Sequence, residues 1–271
     1  MQSIAYLFWA AVLAAMAVAL WDCARWPRQT MAAWHRFRPV LIAVVAGASL
    51  FFLVNLVRFR GAEMGQLLRL ALRLVVGGLG ASIFFCAGWP WVTRAGHMGL
   101  FERAQRRRAG LSTPSVRRAV GETLAIAVAI PCFSAAFFAL IKVLVEVQRS
   151  ANFRQLFESP ESLEARSGYL LLFIVAAPLW EETFFRWYLL NRFEELLARW
   201  SWGHWVAILG SSAVWALGHA TLTVPFGVKV VQIFAIGCLL AWRFPVIGLS
   251  GCIVAHLAMN LLAVFSLALP G

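Results

Sequence analysis

A succession of bilayer-length apolar runs, separated by short basic segments, constrains this 271-residue chain more than any other feature. About 20 apolar residues cross the hydrocarbon core once as a helix. The runs lie at about Ile4–Leu20, Pro39–Val57, Leu74–Val92 and Ala119–Val145, the last with a kink expected at Pro131. A fifth begins near Gly168, passes through Trp180 and continues, more charged, to about Trp200. Three more follow at about Trp205–Ala220, Val228–Trp242 (with Lys229 at its start) and Ser250–Leu269. The first run has no basic segment before it and no small-residue cleavage site after it, so it reads as a retained helix rather than a signal peptide. The sequence therefore predicts an all-α fold: a polytopic membrane bundle of about eight transmembrane helices, since a helix satisfies its own backbone polar groups where no water can.

Composition narrows the class further. Hydrophobic residues make up 62% of the chain, charged residues 13%, and mean hydropathy is +0.77. Soluble domains average about 45–50% apolar and about 25% charged, which excludes a soluble globular enzyme. Disorder needs low hydrophobicity and is excluded too. The net charge of +12 comes from 24 Lys and Arg against 12 Asp and Glu. In so apolar a chain this points to anionic lipid and the positive-inside rule. The cluster Arg106–Arg108 sits in a loop too short for a base-reading domain, so no nucleic-acid partner is expected. The loops Trp21–Arg38 and Thr93–Arg118 are assigned to the cytoplasm, and the stretch Glu146–Ser167, with Glu158, Glu161 and Glu164, to the outer side. Arg58, Arg60, Arg69 and Arg73 make the second loop basic as well, and an interfacial helix is expected there. The expected location is a bacterial inner membrane, with membrane lipids as partners. The five cysteines form no CxxC pair, so neither a disulfide framework nor a thiolate zinc site is expected.

Ionisable groups inside membrane runs cost about 2.5–3.5 kcal/mol each at a helix centre and are functional candidates by default. Three sets occur, each on a different run: Glu181, Glu182 and Arg186; His219, in Trp215-Ala216-Leu217-Gly218-His219; and His256 with Asn260. Glu182 and Arg186 are spaced to pair along one helix face. Adjacent helical residues diverge by about 100°, which leaves Glu181 to meet groups on other helices. Two glutamates and an arginine at a helix end would ordinarily snorkel to the interface. Glu181, however, lies roughly 20 Å along a helix that begins near Gly168, within the bilayer. His256 and Asn260 share a face. Carboxylate, two imidazoles and an amide can activate water and hold an oxyanion in peptide hydrolysis. Glu181, His219 and His256 also match a two-His, one-carboxylate zinc site. His35, His97 and His204 lie in loops and receive no role. GxSxG, HExxH and glycine-rich phosphate loops are absent from the sequence.

Glu181-Glu182-x-x-x-Arg186, Trp215-x-x-x-His219 and His256-x-x-x-Asn260, in this order, resemble the CPBP family of intramembrane proteases, which includes the CAAX prenyl endopeptidases. The resemblance covers roughly residues 165–269. It implies Glu181 as general base acting with His219 on the attacking water, His256 and Asn260 as oxyanion partners, and Glu182 and Arg186 as structural support. A metal-dependent version of the family's chemistry would use Glu181, His219 and His256 as zinc ligands. The amide of Asn260 suits an oxyanion better than a metal, which favours the glutamate version. Two departures, Trp215 where the family usually has Phe and Trp187 where it often has Gly, are expected to place bulk near the site.

The expected organisation is therefore residues 1–160 as N-terminal transmembrane helices with basic loops, and residues 161–271 as a CPBP-like catalytic membrane core. The expected activity is endopeptidase cleavage of a membrane-anchored protein or peptide substrate, in protein maturation. An inactive binding or immunity protein has no need of all four polar groups. A proton-coupled transporter would show inverted repeats, and the sequence has none.

Overall fold

A computed structural model describes residues 2–56, 62–95, 116–149, 172–220 and 222–268. Helix α1 (Gln2–Arg25) is followed after Trp26 by α2 (Pro27–Leu56) and then by α3 (Ala62–Ala95) and α4 (Val116–Leu144). Helix α5 spans 172–196 and changes its winding along the way. Leu172–Ala176 and Thr183–Leu190 are π-helical, whereas Ala177–Glu182 and Asn191–Leu196 are α-helical. Helix α6 (Gly203–Leu217) and helix α7 (Phe226–Ala268) complete the bundle. Strand β1 (Gln148–Arg149) pairs antiparallel with strand β2 (Thr223–Val224), Gln148 lying opposite Val224.

The all-α membrane class is as expected, but the count is not reached. Among the described residues, four helices are long and apolar enough to cross a membrane, and α6 is a shorter apolar helix. The expected cytoplasmic loop at residues 21–38 is also corrected. Helix α1 runs on to Arg25 and Pro27 opens α2, so Arg28, Arg36 and Arg38 are helical. Proline is tolerated at a helix start, where its missing N–H has no intrahelical partner to lose. The basic stretch after Arg60 likewise belongs to α3, which begins at Ala62. The expected helix start near Gly168 and the acidic segment at 158–164 lie outside the described residues.

Helix α7 is two arms. Gly248 has φ 66° and ψ −175°, a region open essentially to glycine alone. The thiol of Cys252 lies 3.8 Å from the carbonyl oxygen of Leu240. Twelve residues of straight helix would separate these groups by about 18 Å, so the chain doubles back at Gly248. This turn brings His256 beside residues that also meet the first arm.

Helix α5 is the centre of the bundle. Every residue from Thr183 to Leu190 is buried, the signature of a helix covered on all sides. Helix α3 lies alongside it. Phe85 stacks on Trp187 at 4.8 Å and 5°, and the Trp187 indole N–H donates to the Phe85 carbonyl at 2.9 Å. Gly88 makes room for that indole, since a Cβ there would come within 2.6 Å of Trp187 Cδ1. Helix α1 joins through Asp22, which is buried and accepts the Tyr188 hydroxyl at 3.0 Å, with Arg192 Nε at 3.7 Å.

Candidate active site

Three helices converge on Glu181. It stands on the α-helical turn of α5, just before the winding widens at Thr183. Widened π turns are frequent at functional sites. Its Oε2 accepts the indole N–H of Trp215 on α6 at 2.5 Å. The same oxygen lies 3.8 Å from Nε2 of His219, just past the end of α6, and 4.0 Å from Nε2 of His256 on the returning arm of α7. Both separations exceed hydrogen-bond length, so the carboxylate faces the two imidazoles without bonding to either.

Each imidazole is fixed by its other nitrogen. His219 Nδ1 is 3.0 Å from the Trp215 carbonyl oxygen, which can only accept, so Nδ1 donates. His256 Nδ1 donates in the same way to Glu182 Oε1 at 2.8 Å. The Nε2 edges of both rings therefore point at Glu181. The Trp215 ring packs edge-on between them, at 5.4 Å from His219 and 5.3 Å from His256. The Arg186 guanidinium covers the ring at 3.9 Å. Arg186 Nε is 3.3 Å from Glu182 Oε2, a charge contact without the alignment of a hydrogen bond. The side chains of Glu182, Arg186 and His256 are 0%, 1% and 2% exposed, whereas Glu181 and His219 keep 17% and 16%. The cluster is open on the Glu181–His219 side and sealed behind.

The structure thus brings together Glu181, Glu182, Arg186, His219 and His256. Asn260 is buried one helical turn beyond His256 on the same arm. Two expectations change. Glu182 serves more than its local pairing with Arg186, because its other oxygen reaches across to His256. Trp187 adds no bulk to the site. Residues of α5 point in all directions, and this one points into the α3 groove at Gly88. Trp215 does stand in the site, and it contributes a hydrogen-bond donor as well as bulk. Among the sequence-silent residues, Asp22 matters for holding the site helix. It is the sole aspartate of the chain and falls at the end of an apolar run, a signal that composition carries on its own.

A zinc site would draw on Glu181, His219 and His256. The imidazole tautomers suit it, although among the described residues no group of three His, Cys, Asp or Glu side chains is spaced to hold a metal ion as placed. The Glu181 oxygen nearest both rings already receives the indole N–H.

A multi-helix membrane domain with a sealed Glu–Arg–His cluster behind an open Glu–His pair has the make-up of an intramembrane hydrolase. Residues 165–262 match the family model of the type II CAAX prenyl endopeptidase Rce1-like proteins, so the C-terminal part of the chain carries an Rce1-like domain. The match supports a CAAX-type intramembrane protease in general, acting in lipid on membrane-associated substrates. No curated protein and no solved structure matches the chain.

Proposed function

We propose that the chain is an intramembrane endopeptidase that hydrolyses a peptide bond in a membrane-anchored protein or peptide, using a glutamate-activated water. The observation that carries this reading is the convergence of Glu181 with the Nε2 atoms of His219 and His256 from three separate helices. A water between Glu181 and His219 gives its proton to the Glu181 carboxylate as its oxygen attacks the carbonyl carbon. The tetrahedral oxyanion is met by the Asn260 amide and by His256 when Nε2 also carries a proton. Glu182 then balances the charge on that ring through Nδ1. As the intermediate collapses, Glu181 returns the proton to the leaving nitrogen. A membrane helix hides its peptide bonds, so the substrate segment unwinds to reach the cluster.

The helices are read as eight crossings when α6, the segment 172–196 and both arms of α7 are each counted beside α1–α4. The four N-terminal helices form one unit and residues 161–271 the catalytic core. The proposed setting is a bacterial inner membrane.

The test compares membranes of host cells carrying the unaltered chain with membranes carrying Glu181→Ala, mapping new peptide termini by mass spectrometry. Termini that depend on Glu181 support the proposal and name the substrates. Equal termini, with both proteins folded and abundant, would sink it in favour of a binding or immunity role.

A further inference from the structure

Lys229 stands in the first turn of α7 and takes no part in the chemistry proposed above. Its surroundings place it at the site. Helix α4 runs antiparallel to the first arm of α7. Glu122, near the start of α4, pairs with Arg243, and Phe138, further along, lies beside Lys229. The β1–β2 pair ties the segment leaving α4 to the segment entering α7. Thr223 of that pair follows His219 closely in the chain, and the turn between them is closed by the Leu222 N–H on the His219 carbonyl oxygen at 3.2 Å. The entrance of α7 is therefore held beside His219, on the open side of the cluster. The Lys229 ammonium acts electrostatically on the His219 imidazole.

A lysine near a helix end in a membrane protein ordinarily snorkels to the interface. The face that Lys229 occupies argues otherwise. Gln232, Ile233, Ile236 and Leu240 form the buried stripe of the first arm, each at most 2% exposed. Lys229 continues this stripe at the spacing of a bundle-facing position, whereas Val231, 57% exposed, marks the outer side of the same turn. The Lys229 Nζ donates to Gln232 Oε1 at 2.7 Å and lies 5.6 Å from the centre of the Phe138 ring. Both partners are neutral. Elsewhere Arg186 meets Glu182, Arg192 meets Asp22 and Arg243 meets Glu122. Among the described residues no carboxylate pairs with Lys229. An ammonium has three N–H donors, and an unbalanced charge within a membrane domain marks a functional position whose complement is an anion. The inward direction turns this charge away from lipid headgroups and towards whatever peptide occupies the site.

We propose that Lys229 binds a carboxylate of the substrate close to the scissile bond, and so selects the segments that this site cuts. The inference rests on the protease reading. The carboxylate belongs either to an Asp or Glu side chain or to the substrate's C-terminal residue; an ammonium is a compact point charge and serves both. An extended segment advances about 3.5 Å per residue, which puts the charged group within about four residues of the cut.

The test extends terminus mapping in host-cell membranes to the full chain carrying Lys229→Met, Lys229→Arg or Lys229→Glu. With the unaltered protein, Glu181-dependent cuts are expected to have an Asp, a Glu or the substrate's C-terminus within about four residues. Lys229→Met should lower the yield of these termini by about tenfold or more, as loss of a hydrogen bond between charged groups does. Lys229→Arg should restore most of them, and Lys229→Glu should move cleavage to segments with Lys or Arg at that place. Cuts grouped near substrate ends identify the C-terminal group as the ligand, and internal cuts identify the side chain. Glu181-dependent termini with no carboxylate in that window overturn the inference and leave the protease reading standing; this outcome needs no Lys229 variant to fold. Termini unchanged by Lys229→Met overturn it as well. A loss of termini matched by a lower unfolding midpoint in detergent, and not rescued by Lys229→Arg, assigns Lys229 to folding and also overturns it. No Glu181-dependent terminus at all, with both proteins folded and abundant, overturns the protease reading and this inference together.

Discussion

The indole N–H of Trp215 is the residue-level feature that a family pattern conceals. Phenylalanine at this position could pack between the imidazoles but could not donate to Glu181. A hydrogen bond to a charged group contributes about 1.5–3 kcal/mol. Trp215→Phe is therefore expected to lower kcat by about 10- to 100-fold with KM nearly unchanged, measured on any substrate found by terminus mapping. Glu181→Gln should abolish turnover while leaving the thermal unfolding midpoint in detergent close to that of the unaltered protein. Glu182→Gln should do the opposite in part. It strips charge from a sealed cluster that includes Arg186 and His256, where breaking a buried pair costs about 3–5 kcal/mol, so the midpoint should fall markedly. The five charged and imidazole groups were legible in the sequence because each interrupts an apolar run, where an ionisable side chain stands out. Which of them touch was not. The reach of Glu182 to His256 spans 74 residues, and no local spacing encodes it.

At the scale of elements, the apolar runs located the helices, whereas their joins depended on backbone detail. Residues 21–38 look like a basic loop because arginines punctuate them, yet helix propensity and a proline at the first turn let α2 begin one residue after α1 ends, with the reversal made at Trp26. The two C-terminal runs were legible, and Gly248 lies between them. That the second arm folds back against the first rests on one backbone conformation. Gly248→Ala is expected to cost about 1–3 kcal/mol, seen as a lower unfolding midpoint together with lost activity, because His256 and Asn260 ride on the returning arm. The π winding of α5 left no mark in the sequence pattern. Trp187 on it faces α3, so the expectation of added bulk at the site failed for Trp187 and held for Trp215. Gly88→Ala should loosen this packing by about 1–3 kcal/mol, as overpacking does. A second substitution, Trp187→Phe, relieves the contact with the indole but not that with the Trp187 carbonyl oxygen, 2.7 Å from the added Cβ, and should restore only part of the midpoint.

Across the whole molecule, α1 is tied to the C-terminal half of the site helix by a hydrogen bond and an ion pair, through Asp22, Tyr188 and Arg192, none of which touches Glu181. Asp22→Ala is accordingly expected to lower the unfolding midpoint and leave the turnover of the folded fraction unaltered, which a paired melting and activity assay would register. The membrane class was plain from composition alone; the order in which the site assembles is not visible there. Synthesis runs from N to C terminus. Glu182 reaches the ribosome's exit with its partner Arg186 four residues behind, so the pair can enter the bilayer already compensated. His256 follows only 74 residues after Glu182. While α6 and the first arm of α7 are inserted, the nascent chain holds a carboxylate with no second imidazole opposite it, and the last arm to arrive is the one that arms the enzyme.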